Sequence, residues 1–437
     1  MERTVIANAS IFDGSGAAAS PGHVLVEGER IAEVRDGAPG SDPGFGATDA
    51  RTIDAAGATL MPGLVEGHGH ISFIDQAELT ELALIGIEEH TLATMHNARL
   101  LLDAGFTSVN SAASARIRLD AVIRDEIDAG RIPGPRLRAA SPEITVTSGL
   151  GDADRMHVQL HTFGLVANGV EEIVRTVRTC LREGADNIKL NISGDVFLNH
   201  ADSFSTVMAD AEVAAAVETA HAHGRRVAAH CRSAGSVKRA LAHGVDMIYH
   251  CDHADEEALD GLEAARDRVL TGPAIGVILG AIDALEAQAE AEGGKDPEAD
   301  AGRRAALAEL RRVHEDNCRT YAEVRRRGIP VVIGGDYGFA VNPQGTNARD
   351  LQHFVEQYGF TPAEALHAGT AVGARAMCRE HELGRIRPGF FADLLLVDGD
   401  PLEDVRLLQD RERLLLIMKG GAVHADRTAH AGRGAGR

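Results

Sequence analysis

The sequence predicts an α/β protein: a closed (β/α)8 barrel of the TIM type with a small composite β-sandwich domain made from both ends of the chain. Three observations lead there. Strand-like apolar runs alternate with helical stretches through the middle of the chain, the rhythm of repeated β/α units around a parallel sheet. Short alternating runs broken by glycine open the chain and return near its end. The 437 residues are long for one ordinary domain, yet a barrel with a small accessory domain uses them fully.

In chain order, residues 1–61 carry hairpin-like runs at 4–11, 23–27 and 30–34 and supply the first part of the β domain. Its second part, 385–427, carries runs at 392–397, 414–419 and 421–424. Chain ends commonly lie close together, so the two parts are expected to share one domain. The barrel occupies 62–384, its first strand beginning at the junction. Strands are expected at 60–67, 107–111, 136–140, 187–191, 226–229, 247–249, 268–270 and 330–334. Helices such as 88–104, 171–183, 207–223 and 305–327 separate them, many closed by glycine. The stretch 281–315 is rich in Ala, Glu and Arg, broken at Gly293-Gly294, and longer than a barrel connection needs. It reads as a helical insertion near the seventh strand, a solvated surface hairpin, with a lid over the site as the alternative. The tail 428–437 is expected to be disordered.

Composition narrows the function classes. Lys and Arg total 44 against 65 Asp and Glu, and the formal net charge of -21 argues against a nucleic-acid backbone or an anionic membrane surface as partner. No apolar run approaches the roughly 18 residues of a membrane span. Met1-Glu2-Arg3-Thr4 leads directly into a strand-like run, so no signal peptide is expected and a cytoplasmic location follows. The cysteines, Cys180, Cys231, Cys251, Cys318 and Cys378, lack C-x-x-C spacing and read as reduced structural thiols. A small-molecule substrate is the expected partner; a homo-oligomer is left open.

In such a barrel the active site forms at the C-terminal ends of the strands, so the polar residues that end each strand are the test. Five of the eight expected strands end on metal-ligand types. The first ends His68-Gly69-His70, where alternation points both imidazoles to one side. The fourth carries Lys189, the fifth ends on His230, the sixth on His250 and the eighth on Asp336. Each alone has a plainer reading: a hydrogen-bonded structural histidine, a buried ion-pair lysine, a turn-forming aspartate. Together on one rim they read as a metal centre suited to Zn²⁺, with Co²⁺, Mn²⁺ or Fe²⁺ as alternatives and one or two ions.

The chain resembles the amidohydrolase superfamily, close to its imidazolonepropionase-like and Xaa-Pro-dipeptidase-like branch. Three motifs carry this: Met61-Pro62-Gly63-Leu64-Val65-Glu66-Gly67-His68-Gly69-His70; the strand-end Lys189, His230, His250 and Asp336; and Gly384-Arg385-Ile386-Arg387-Pro388-Gly389-Phe390-Phe391-Ala392-Asp393-Leu394. The resemblance implies that His68 and His70 bind one metal, that His230 and His250 bind a second, and that Lys189, as N6-carboxylysine, bridges them. It implies that Asp336 contacts the metal and is the general base, with His250 beside it in the catalytic set. Hydrolysis of a C–N bond by a metal-bound hydroxide follows. Two departures stand out: Glu66 replaces the family's usual Asp, and Tyr337-Gly338-Phe339 replaces small residues after Asp336.

Rim loops supply substrate-contact candidates: Thr147, His157 and His161 after the third strand, Asn191 and Arg232 beside two ligands, and Tyr337 and Asn342 after the eighth. His253 is an alternative to His250 as ligand. The run 335–350 is similar to the branch containing phenylurea and thiocarbamate hydrolases, implying a neutral, partly apolar amide, urea or carbamate. A dipeptide, N-acyl amino acid or cyclic amide is the alternative; a free carboxylate would need a cation, and Arg232 could supply one. A metal-dependent decarboxylase or isomerase, or a non-catalytic scaffold, are the rivals from other classes.

Overall fold

The computed structural model describes residues 2–428 except 39, 42, 46–48, 79, 155, 159–162, 199 and 293–295. Parallel strands alternating with helices form its body. Leu64–Gly69 pairs with Phe106–Ser111, which pairs with Arg136–Arg138. The chain runs on through Ala139 into Ala140–Thr145, beside which lie Asn187–Asn191, Arg226–Ser233, Met247–His253 and Leu270–Gly272 in turn. Backbone bonds then reach the segment 330–333: Val332 N–H to Thr271 O at 2.8 Å, and Gly67 N–H to Ile333 O at 2.9 Å. That segment therefore sits between the last strand and the first.

The strands are buried along nearly their whole length, with only Arg136, Arg138 and Arg226 partly exposed, because helices cover their outer faces, the rule for parallel sheets. In the helix Gly169–Arg182, Ile173, Val177 and Cys180 fall on one side and are the buried residues. Inside, a polar layer lies among the strands: Asn187 Nδ2 donates to Asn110 Oδ1 at 2.7 Å, and the Tyr249 hydroxyl donates to Gly67 O at 2.7 Å.

Several boundaries differ from expectation. Thr59–Pro62 belongs to the terminal sheet, so the first parallel strand starts at Leu64. The third runs five residues further, to Thr145, and a short strand, Gly164–Val166, pairs on its edge. The seventh is Leu270–Gly272. The eighth forms only a bridge, Thr271 to Val331, because the chain bends away at Gly334 and at Asp336, whose φ is 62°. The region read as a solvated insertion is two helices, Gly276–Glu292 and Pro297–Arg326, and only part of it is solvated. From Leu307 onward the second helix buries Leu307, Leu310, Val313, Tyr321 and Val324 in the main core, because its apolar residues recur at helical spacing. Gly293, Gly294 and the tail beyond Thr428 lie outside the described residues.

Both chain ends meet in one hydrogen-bonded sheet of eight strands. Its continuity has a local cause. Arg3–Ile11 pairs with Arg51–Asp54 through Thr4–Ala7, then with Thr59–Pro62 through Ser10 and Ile11, and Asn8 at φ 58° stands at the switch. The sheet is fixed to the body by a bidentate pair, Arg136 Nε and Nη2 to Asp393 at 2.8 and 3.1 Å, and by Lys419 Nζ to Gly134 O at 2.6 Å. No helix among the described residues is long and apolar enough to cross a membrane.

Candidate metal centre

The first strand brings His68 and His70 to the rim and braces them from behind. Glu66 Oε1 accepts the His68 N–H at 2.9 Å, and its Oε2 accepts Asn347 Nδ2 at 2.8 Å. Burial pushes the Glu66 carboxyl up to about 8, against the hydrogen bonds from Asn347 and His68. His70 Nδ1 lies 3.1 Å from Ala113 O, which fixes a proton on that nitrogen and turns Nε2 inward. That Nε2 is 3.0 Å from Asp336 Oδ1, and His68 Nε2 is 3.8 Å from the same oxygen. Phe73 stacks on His70 with ring centroids 4.4 Å apart.

His250 comes from the sixth strand at φ 72°, followed by Cys251 at 53°. Left-handed backbone swings its imidazole toward the first strand, and ligand atoms of His68, His250 and Asp336 all lie within 4.8 Å of one another. His230 adjoins them, its ring centroid 4.2 Å from that of His250. Its Nε2 faces Gly194 O at 3.1 Å and Asp195 Oδ2 at 3.3 Å, leaving Nδ1 as the nitrogen not engaged there. Lys189 Nζ is 3.6 Å from Glu143 Oε1 and 5.4 Å from the centre of the Tyr249 ring.

The electrostatics suit a cation. Burial lowers His68 and His250 well below the usual imidazole range and His230 to about 3, so these rings are neutral and keep their lone pairs. Burial opposes the charge of Asp336, but His68, the His70 hydrogen bond and Lys189 outweigh it and hold the carboxyl below its ordinary range. His68 Nδ1 and His250 Nδ1 have no hydrogen-bond partner among the described residues. Around the site, the buried acidic side chains of Glu143, Asp195, Asp252 and Asp350 outnumber the buried cations Lys189 and Arg232. Neutral imidazoles and carboxylate converging in a negatively biased pocket are the donor set of a divalent metal.

Residues 59–423 match the amidohydrolase family. The chain belongs to that family. Ochratoxinase of Aspergillus niger is 26% identical over 388 residues, covering 83% of this chain and 75% of the relative. Imidazolonepropionase of Rubrobacter xylanophilus is 26% identical over 431 residues, covering 92% of this chain and 91% of the relative. The crystal structure of a Xaa-Pro dipeptidase with methionine bound in its active site superposes with a TM-score of 0.80 at 26% identity, covering 97% of this chain and all of that one. Amidohydrolases are hydrolytic enzymes, and the cluster above lies inside the matched region.

The structure of this amidohydrolase brings His68, His70, Lys189, His230, His250 and Asp336 to one rim. The expected substrate contacts scatter. Arg232 is committed to two carboxylates, Asp195 at 2.7 Å and Asp252 at 2.6 Å. Asn342 braces the turn that carries Asp336, donating to Gly335 O and Asp336 O at 2.8 and 3.1 Å. Tyr337 is buried, Thr147 is exposed and bonded to Asn168, and His157 is exposed. Asn191 donates to Glu143 and to Leu150 O, leaving its own buried Oδ1 without a partner among the described residues. His253 has both ring nitrogens engaged, with Asp316 and Ser203, away from the cluster. His161 lies outside the described residues.

Sequence reasoning missed Glu143, Asp195, Asp252, Asn317 and Asp350. For Glu143 a signal existed: extending the third strand past Ala140 would have placed it at the rim. Asp350, whose Oδ2 accepts the Gly334 N–H at 2.7 Å, lies on a later helix and had none.

Proposed function

We propose that this amidohydrolase cleaves a C–N bond of amide, urea or carbamate type in a small neutral molecule, at a divalent metal centre in the mouth of a closed (β/α)8 barrel. The convergence of His68, His250 and Asp336 within 4.8 Å carries this reading. His68, His70 and Asp336 would hold one ion, and His230 and His250 a second where Lys189 carries a carboxyl group on Nζ as a bridge; Zn²⁺ suits the donors. Such an ion supplies a lowered pKa for the attacking water and Lewis-acid polarisation of the scissile carbonyl.

The chain's own residues do the rest. Asp336, ionised and 3.0 Å from His70 Nε2, accepts the proton that water loses as its oxygen bonds to the carbonyl carbon. It returns that proton to the nitrogen as the C–N bond breaks, so the leaving group departs as a neutral amine. Asn342 holds the turn that carries the carboxylate, donating to Gly335 O and Asp336 O. A neutral substrate is favoured because Arg232, the cation a free carboxylate would need beside the ligands, is already paired twice.

The test is a screen of amides, ureas, carbamates, lactams and dipeptides with metal content measured and controlled by chelation. Asp336→Asn should lose about 10²–10⁴-fold in turnover while keeping its fold and most of its metal; near-normal activity would remove the general base. Product formed without incorporation of labelled water oxygen would replace hydrolysis with a decarboxylase or isomerase reaction. A protein that neither binds metal stoichiometrically nor hydrolyses any member of the panel would refute the reading.

A further inference from the structure

Two adjacent strands each carry a metal-ligand histidine and, two residues on, a charged residue. His230 is followed by Arg232 in Arg226–Ser233, and His250 by Asp252 in Met247–His253. His230 and Arg232, at i and i+2 of an extended strand, share a face, and the left-handed backbone at His250 and Cys251 brings Asp252 beside Arg232, so the charged pair forms a second row beside the histidines. Arg232 fills that row almost without exposure, at 1%. Its Nε donates to Asp195 Oδ2 at 2.7 Å, and its Nη1 to Asp252 Oδ2 at 2.6 Å.

Each carboxylate leads onward to one histidine. Asp195 Oδ2 is also 3.3 Å from His230 Nε2. Asp252 Oδ1 accepts Asn317 Nδ2 at 2.6 Å, and the same amide reaches His250 O at 3.4 Å and Pro273 O at 3.3 Å. Asn317 is itself oriented by the Tyr358 hydroxyl, which donates to its Oδ1 at 2.7 Å. Thr320, one turn further along the same helix, donates to Asp252 O at 3.0 Å. The strained backbone at His250 and Cys251 is thus gripped from the long helix Pro297–Arg326.

We infer that Arg232 is a positioning residue that aims the His230 imidazole through Asp195 and fixes the backbone that carries the His250 imidazole through Asp252 and Asn317. This rests on the metal-centre reading. A planar guanidinium can serve two carboxylates in different directions at once, which a lysine ammonium cannot do with the same fixed geometry. Carboxylates behind ligand histidines set ring orientation and raise ligand basicity, and their loss typically costs about 10–100-fold in metal affinity. The chain also needs the cation for its own sake, since two buried carboxylates lie against it. A side chain so enclosed has no face left for substrate.

The experiment titrates Co²⁺ into chelator-stripped full-length protein, following the visible absorption bands and competing with a chelator for affinity. Wild type should bind Co²⁺ stoichiometrically. Arg232→Met should bind it about 10–100-fold more weakly with altered bands, and Arg232→Lys should recover part of the loss. Should Arg232→Met fail to fold, Asp195→Asn, nearly isosteric, carries the same expectation for affinity and bands. Variants with wild-type bands and affinity within twofold, or a KM increase confined to carboxylate-bearing dipeptides with metal binding intact, would overturn the inference in favour of a plain structural ion or a substrate anchor. Wild type that takes up no Co²⁺ would instead bring down the metal reading itself.

Discussion

Gly334 links the fold to the site, and Gly334→Ala tests that link. The residue has φ +152°, where an L side chain is strained by about 1–3 kcal/mol. A Cβ there would stand 2.5 Å from Glu66 Oε1, 2.5 Å from His68 Cβ and 2.5 Å from His68 N. Carbon atoms settle at about 3.5–4.0 Å, so the segment must retreat by about 1 Å. Retreat breaks or stretches two buried bonds, Gly67 N–H to Ile333 O at 2.9 Å and Gly334 N–H to Asp350 Oδ2 at 2.7 Å. At about 1 kcal/mol net for each, the total is roughly 3–5 kcal/mol out of a typical 5–15. Urea unfolding should show a loss of that size. Metal affinity should fall too, because Glu66 shifts on one side of the clash and Asp336, two residues on, on the other. Gly302 is the internal control: it lies exposed in a helix with nothing within 4 Å of its Cβ, and Gly302→Ala should gain about 0.5–1 kcal/mol. A Gly334→Ala protein within about 1 kcal/mol of wild type would refute the argument from close approach.

Two further outcomes follow from single side chains. Lys189→Ala should lose about 10–100-fold in metal affinity and recover part of its turnover with added short carboxylic acids; full activity with one metal bound would show that the lysine does not bridge. Lys419 is pushed down from 10.5 to about 8, first by burial and then by Arg136. Its folded pKa lies below the unfolded one, so its charge destabilises the fold fully below about pH 8, and the penalty fades as pH rises toward 10.5. That shift amounts to roughly 3 kcal/mol; allowing for the lost bond to Gly134 O, Lys419→Met should stabilise by about 2 kcal/mol at pH 7 and by little at pH 10. A difference between the two proteins that does not change with pH would contradict the assignment.

The residues of the candidate site were legible because strand ends obey a local rule, whereas the network behind them was not. His68, His70, His230, His250 and Asp336 each close a run whose apolar pattern is visible over a few residues, and Lys189 lies within one. Glu143 was hidden by Pro142, since proline inside a run argues against a strand interior, yet here the strand continues to Thr145. The helix from Pro297 was read as largely solvated because its first ten residues are mostly charged or small; its buried face begins only at Leu307. Arg232 is a charged residue next to a candidate ligand, and the sequence offers it as a cation for a substrate carboxylate. What decides it is Asp195 and Asp252, and their approach depends on how a loop and a neighbouring strand pack.

Two of the proposed ligands, His250 and Asp336, stand in left-handed backbone, at φ 72° and 62°. Each such residue costs about 1–3 kcal/mol unless the surroundings hold it. Here both carbonyls receive a side-chain amide from elsewhere, Asn317 on His250 O and Asn342 on Asp336 O. The first-strand pair needs no such support; there Glu66 secures the His68 N–H instead. Glycine at 250 or 336 would relieve the strain but delete a proposed ligand, so stability and the proposed function pull apart at these positions. The strain is therefore retained where a straight strand would carry the side chain past the rim, and the two asparagines belong to the centre as much as the residues that would touch the metal.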